Sequence, residues 1–171
     1  DRDALRRRMR QLRRELSAAH PDAGTRAALA LPLDLLPPGV TFAAYVPAGS
    51  EIDPGPLARR LAAGGARRLL PRVVESGAMR FLEAPAEAFL LPDAAGMPAP
   101  PADAPEGRPD LVVTPLLAFD RFGSRLGQGG GHYDRALAGL RRTGPVFVLG
   151  LAYAGQEVDR LELEPHDQPL D

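Results

Sequence analysis

Three short runs of this chain are apolar at nearly every position: VTFAAYVP at 40–47, DLVVTPLLAFD at 110–120 and PVFVLGLAY at 145–153. A strand with one face in water alternates apolar and polar residues, whereas one that is apolar throughout must be covered on both faces. Segments with helix signals separate these runs. DPGPLARRLAAGG at 53–65 has proline near a helix start and closes on glycine, and a second helix is expected from about His132 to Arg142. ARRLLPRVV at 66–74 and AMRFLEA at 78–84 are further strand candidates. Alternating strands and helices, with strands buried on both sides, predict the α/β class. The expected architecture is a single three-layer α/β/α domain, Rossmann-like, with a mostly parallel sheet over residues 1–171.

The remaining segments are arranged around that frame. Over residues 3–18, Leu5, Met9, Leu12 and Leu16 recur at helical spacing and arginines cover the rest, so a helix with a solvated basic face is expected. GTRAALAL at 24–31 reads as a second helix or a turn-rich segment. Residues 84–109 are dense in Pro, Ala and Gly and read as a surface excursion, and the tail from Glu157 reads as helix or turn with a short strand. Net charge is −1 in 171 residues, so the protein as a whole is no polyanion binder, and no apolar run approaches the roughly 18 residues of a membrane span. The charged start lacks the apolar stretch of a secretory signal and there is no cysteine, so a cytoplasmic location is expected. All basic residues other than histidine are arginines, which reads as a compositional bias of the genome.

In open α/β sheets ligands bind beyond the carboxyl ends of the strands, and there RLGQGGGHYDRAL at 125–137 follows the strongest strand. Four of the five residues 127–131 are glycine, so bare backbone N–H groups could close around an anion. The spacing is neither a Walker A loop nor the dinucleotide fingerprint, whose last glycine position holds His132. On glycine content alone, an anion cradle and a merely tight connection are equally good readings. Arg125 beside the loop favours the anion, because a guanidinium forks onto phosphate oxygens. Asp134 also has two readings: a first-turn acid favoured by the helix dipole, worth about 0.3–1 kcal/mol, or a Mg²⁺ ligand placed against phosphate oxygens.

The segment DLVVTPLLAFDRFGSRLGQGGGHYDRAL closely resembles the signature of the 5-formyltetrahydrofolate cyclo-ligases, a strand followed by F-D-x-x-G-x-R-L-G-x-G-x-G-Y-Y-D-R. RDALRRRMRQLRREL is similar to the family's N-terminal basic helix, YVPAGSEID to its strand and loop ending in Glu-Ile, and LEPHDQPLD to its closing E-x-x-D-x-x-x-D segment. The resemblance therefore runs the length of the chain in the family's order. It implies an ATP- and Mg²⁺-dependent closure of 5-formyltetrahydrofolate to 5,10-methenyltetrahydrofolate. In that reaction ATP phosphorylates the formyl oxygen, N10 attacks the activated carbon and phosphate leaves.

Carried over position by position, the resemblance implies that Arg2, Arg6, Arg125, Leu126, Gly127, Gln128, Gly129, Gly130, Gly131, His132 and Tyr133 bind ATP, with Arg125 also catalytic. Asp134 and Asp167 would be the metal carboxylates, which gives Asp134 a cation to face rather than the phosphate itself. Val46 and Glu51 would contact the reduced folate, Glu51 as acceptor for the pterin's N–H donors, and Gln128 to His132 would face folate as well as nucleotide. Three departures stand out: Arg2 replaces the usual Lys, Gly130 stands where some members carry Lys, and His132 replaces the first Tyr of Tyr-Tyr-Asp. His166 could orient Asp167 or be a solvated loop residue. Tyr45 and Tyr153 read as core, and no His/Asp/Glu spacing suggests zinc.

The expected partners are thus small molecules, with no nucleic acid and no membrane, and the protein is expected to be a monomer. Three rival readings are kept: another ATP- or sugar-phosphate-binding α/β protein sharing only the glycine loop, an inactive folate-binding relative, and a nucleic-acid module using the arginine helix. Overall acidity and 5% aromatic residues argue against the last, since single-strand binders need stacking platforms as well as charge.

Overall fold

The computed structural model describes residues 1–171, apart from the side chain of Leu35. Its centre is a five-stranded sheet in the order β3-β2-β1-β6-β9, with β1 (Thr41–Ala43), β2 (Arg67–Val73), β3 (Met79–Glu83), β6 (Leu111–Thr114) and β9 (Phe147–Gly150). β1 runs parallel to β2 and β6, and β6 parallel to β9; only β3 is antiparallel, as the return strand of a hairpin from β2. Phe42 lies opposite Leu111, and Val112 opposite Val148, so the expected runs of apolar residues meet at the centre.

Strand alternation divides the core into two layers. Phe42, Leu70, Leu111 and Val113 pack on one face with Ala28 of α2 (Ala23–Ala30) and with Leu57 and Leu61 of α3 (Gly55–Ala63). Ala43, Leu69, Val112 and Val148 pack on the other face with Leu137 of α4 (His132–Thr143). The three-layer, mostly parallel architecture is the expected one, and its physical origin is this period-two division of doubly buried strands. α3 starts after Pro54, with the Asp53 carboxylate accepting from the Gly55 N–H at 2.8 Å, and it stops at Gly64 and Gly65.

Several boundaries differ from those expected. The run 40–47 pairs only over Thr41–Ala43, because the chain beyond Ala43 leaves the ladder and turns into a cleft. The run 110–120 is two elements. Pro115 has no N–H to donate, the ladder stops at Thr114, and β7 (Ala118–Phe119) pairs instead with β8 (Arg125–Leu126) in a separate ribbon. Residues 84–109 are more than a surface excursion. They contain a small hairpin, β4 (Leu91–Pro92) with β5 (Pro98–Ala99), in which Ala99 is fully buried and whose tip walls the cleft. After the short 3₁₀ turn at Ala154–Gln156, the tail has no regular element. Among the described residues no helix is long and apolar enough to cross a membrane.

α1 (Arg2–Ala19) lies outside both sheet layers. Met9, with Leu5 and Leu12, packs on Leu117, Ala118, Leu126 and Leu161, that is, on the β7–β8 ribbon and the tail. Asp120 holds these pieces together. It is 3% exposed; its Oδ1 accepts from the N–H groups of Phe122 and Ser124, and its Oδ2 accepts from the N–H of Leu161 at 2.8 Å. Burial pushes its carboxyl up, but the backbone donors of Leu161, Ser124 and Phe122 outweigh it and hold the group below its ordinary value.

Asp120→Ala should destabilise the fold by about 3 kcal/mol in urea unfolding at neutral pH, because it strands buried donors. For a carboxyl held low in the folded state, the stabilisation is complete above the unfolded value of about 3.9 and is lost as pH falls through the folded value. The wild-type advantage over this variant should therefore shrink toward pH 2 and stay level between pH 5 and 8.

Candidate functional site

The chain leaves β1 through α3 toward one edge of the sheet, and leaves β6 through the glycine loop and α4 toward the other. The order reverses between β1 and β6, and such a switch point opens a crevice at the carboxyl ends of the strands. A cavity of about 250 Å³ lies there, walled by Tyr45 and Val46 after β1, Pro115 and Leu116 after β6, and the loop from Gly127 to Asp134. The start of α1, the β4–β5 hairpin and the tail at His166 and Asp167 complete it.

Every residue assigned to a site from sequence lines this cavity except Leu126. Leu126 alternates inward from Arg125 on β8 and is 2% exposed in the core beneath α1, and its carbonyl accepts from the Leu117 N–H. The loop is shaped for open amides. Gly129 has φ +113° and Gly131, which caps α4, has φ +71°, in the left-handed region that side chains disfavour. A Cβ on Gly127 would come within 3.1 Å of the Arg125 Nη1. The α4 N-terminus begins immediately after, adding the positive end of its dipole.

α1 reaches over this loop with one row of arginines. Arg6 Nε donates to the Gly127 carbonyl at 3.0 Å, and Arg10 donates to the side chain and carbonyl of Gln128. Arg2 Nη1 donates to Asp167 Oδ2 at 2.9 Å and to the Glu162 carbonyl. Arg2 and Arg6 were expected here from sequence; Arg10 was not, though its step of four residues from Arg6 was the available signal.

Arg125 is the central cation. Its side chain is 5% exposed, Nη2 lies 3.3 Å from Asp134 Oδ1, Nη1 donates to the Pro115 carbonyl and the guanidinium stands 5.6 Å from the centre of the Tyr133 ring. Its Nε is buried without a hydrogen-bond partner among the described residues, and an unpaired donor on a buried cation is a position an anionic oxygen would satisfy.

The two acids expected to hold a metal are on the same wall. Asp134 Oδ1 accepts from the Gln168 N–H at 3.0 Å, so Asp134 is tied to the residue next to Asp167. Asp167 is 5% exposed; burial raises its carboxyl, but the Glu164 N–H, Arg2 and His166 together hold it below its ordinary value. His166 Nε2 lies 3.2 Å from Glu164 and 3.7 Å from Asp167 with its side chain 64% exposed, so of the two readings it fits the solvated loop residue better. Hard carboxylate oxygens lining a cleft suit Mg²⁺.

The opposite end of the cleft is drier. Glu51 is 8% exposed, accepts from the Ala48 N–H at 2.8 Å, and has its carboxyl raised by burial against the opposing pull of that N–H and of Arg13. Tyr45, which reads as core from sequence, is buried yet lines the cavity, its hydroxyl donating to the Ile52 carbonyl. Tyr153 is core as expected. The apolar residues Val46, Met97, Pro98 and Pro115 also line the cavity, so one cleft combines charged groups with apolar surface suited to a flat, partly apolar ligand.

Known proteins resemble this chain in sequence and in fold. The 5-formyltetrahydrofolate cyclo-ligase of Escherichia coli K12 is 36% identical over 138 residues, 76% of this chain and 74% of that protein. The structure of a 5,10-methenyltetrahydrofolate synthetase from Aquifex aeolicus superposes with a TM-score of 0.77 at 26% identity, covering 99% of this chain and 87% of the other. That of a 5,10-methenyltetrahydrofolate synthetase from Mycoplasma pneumoniae gives 0.68 at 26% identity, covering 100% and 96%. The family match extends over residues 1–171. With its strand order, its glycine loop and its match from first residue to last, the chain belongs to the 5-formyltetrahydrofolate cyclo-ligase family.

Proposed function

We propose that the protein converts 5-formyltetrahydrofolate to 5,10-methenyltetrahydrofolate with ATP and Mg²⁺, releasing ADP and phosphate. The observation that carries this reading is the buried guanidinium of Arg125, with an unpaired Nε, in a cleft that also holds the glycine loop, two carboxylates and the drier Glu51 end. The chemistry requires two ligands brought into line and charge neutralised around a moving phosphoryl group, with little covalent help from the protein.

In this reading the glycine loop, Arg2, Arg6 and Arg125 receive the triphosphate, and Arg125 stabilises the charge on the transferring group. Asp134 and Asp167 would hold Mg²⁺, which would supply neutralisation of the phosphate charge there. Arg125 and Arg2 now pair with those carboxylates, so each must exchange its partner when the ligands arrive. Glu51 accepts hydrogen bonds from the amino and ring N–H groups of the pterin, and Val46 packs on its face. The formyl oxygen of the bound folate takes the γ-phosphoryl group from ATP. N10 then adds to the formyl carbon, the carbon–oxygen bond to phosphate breaks, and the N10 proton is lost. A cleft that excludes water protects the phosphorylated formyl group from hydrolysis, which is a use for its apolar wall.

Incubation with ATP, Mg²⁺ and 5-formyltetrahydrofolate should produce the methenyl absorbance band; ATP hydrolysis without that band would refute the reading. Asp134→Ala should lower Mg²⁺-dependent turnover by about a hundredfold or more in a protein that still folds, as a cooperative thermal melt would show. Glu51→Ala should weaken 5-formyltetrahydrofolate by about tenfold or more, as expected for a lost charged hydrogen bond, and leave a non-hydrolysable ATP analogue within about twofold. Equal losses of both ligands in calorimetry would contradict a pterin role.

A further inference from the structure

Arg13 belongs to the apolar side of α1 and not to its solvated face. It is 6% exposed, a buried guanidinium in a helix whose other arginines are partly or fully exposed. Its Nε donates to Ser50 Oγ at 2.9 Å, its Nη1 donates to the Leu116 carbonyl at 3.0 Å, and the same Nη1 stands 3.9 Å from Glu51 Oε2. A single side chain therefore touches the turn that carries Glu51 and the carbonyl next to the one that receives Arg125. No hydrogen bond links it to Glu51 itself, so its action on that carboxylate is through charge and through the turn.

The groups facing Glu51 are few. The Ala48 N–H donates to it, Arg13 approaches from α1, and the uncharged phenols of Tyr45 and Tyr133 lie near it from the end of β1 and from α4. Among the described residues Arg13 is the cation within ion-pair distance of Glu51. Burial pushes the Glu51 carboxyl up, and the Ala48 N–H and then Arg13 oppose this. A protonated carboxyl would present a donor where the pterin also presents donors, and would lose an acceptor site.

We infer that Arg13 is a positioning residue for the folate end of the cleft: it fixes the Ser50–Glu51 turn and sets a cation against the Glu51 carboxylate that accepts the pterin. This rests on the proposed function for the identity of the ligand, but its electrostatic half concerns the ligand-free protein. The helix that presents Arg2 and Arg6 to the nucleotide end thus also sets the affinity of the other end.

The test compares wild type with Arg13→Gln and Arg13→Lys by two readouts. The first is the Glu51 carboxyl titration in the ligand-free protein, followed by ¹³C NMR of the side chain and assigned with Glu51→Gln. Arg13→Gln should move its midpoint up by about one pH unit, a tenfold change in the protonation equilibrium, and Arg13→Lys should restore most of it. The second is calorimetric binding at pH 6 and pH 8. Arg13→Gln should weaken 5-formyltetrahydrofolate about tenfold, more at pH 6, with a non-hydrolysable ATP analogue changed less than twofold. A Glu51 midpoint unmoved in a folded Arg13→Gln protein, or equal loss of both ligands at both pH values, would overturn the inference. If wild type binds no folate while the midpoint still moves as expected, the substrate reading fails and the electrostatic role stands; if Arg13→Gln does not fold, wild-type and Arg13→Lys midpoints that differ by more than one unit would overturn it.

Discussion

The ion pair between Arg2 and Asp167 joins residues 165 positions apart, and with Arg125–Asp134 it closes the rim of the cleft. Without these cations, Asp134 and Asp167 would set like charge along one wall, and the tail would be held to α1 by the packing of Leu161. Taking charges out of water offsets much of the Coulomb attraction within such pairs, so their contribution to net stability is modest. Their consequence is positional. They bring the first residues, the glycine loop and the tail to one place, and that juxtaposition makes the site.

Behind the rim, two buried polar residues convert irregular chain into defined walls. Asp120 satisfies the N–H groups of a turn and of the tail, which have no ladder to join. Arg13 does the corresponding work from the donor side, donating to the Leu116 carbonyl and the Ser50 hydroxyl beyond the carboxyl ends of the central strands. Loops that must stay open to ligand cannot be held by apolar packing alone, because covering them would close the cleft. Buried charge with several backbone partners holds them instead, at the expense of sensitivity to pH and to substitution.

Much of the fold was legible in the chain. The doubly buried β runs, the proline and glycine at the ends of α3, and the glycine loop after the central strand each reflect local rules that act within a few residues. The residues that line the cavity were legible for a different reason: Arg125, the glycines and Asp134 are contiguous, and the outlying Arg2, Glu51 and Asp167 sit in segments that resemble the same family. What was missed lies where one residue type serves two environments. Arg13 and Arg10 look alike in a run of arginines, yet one is buried against Ser50 and the other is half-buried over Gln128. Residues 84–109 look like a loop by composition, and nothing local shows that Asp93 and Met97 face the ligand cleft.

The amino-acid sequence by itself determined the class of fold, the order of its elements and the chemistry available at the loop, because periodicity, proline, glycine and charge act through short-range sterics and solvation. Only the tertiary structure decided which arginines are buried, that Leu126 faces the core and not the ligand, that the Pro-rich hairpin is a wall, and how Glu51 is coupled to α1. Those outcomes depend on which distant surfaces meet across the switch point of the sheet, and burial, which sets both the cost of a charge and the value of its partner, is a property of that meeting and of no single segment.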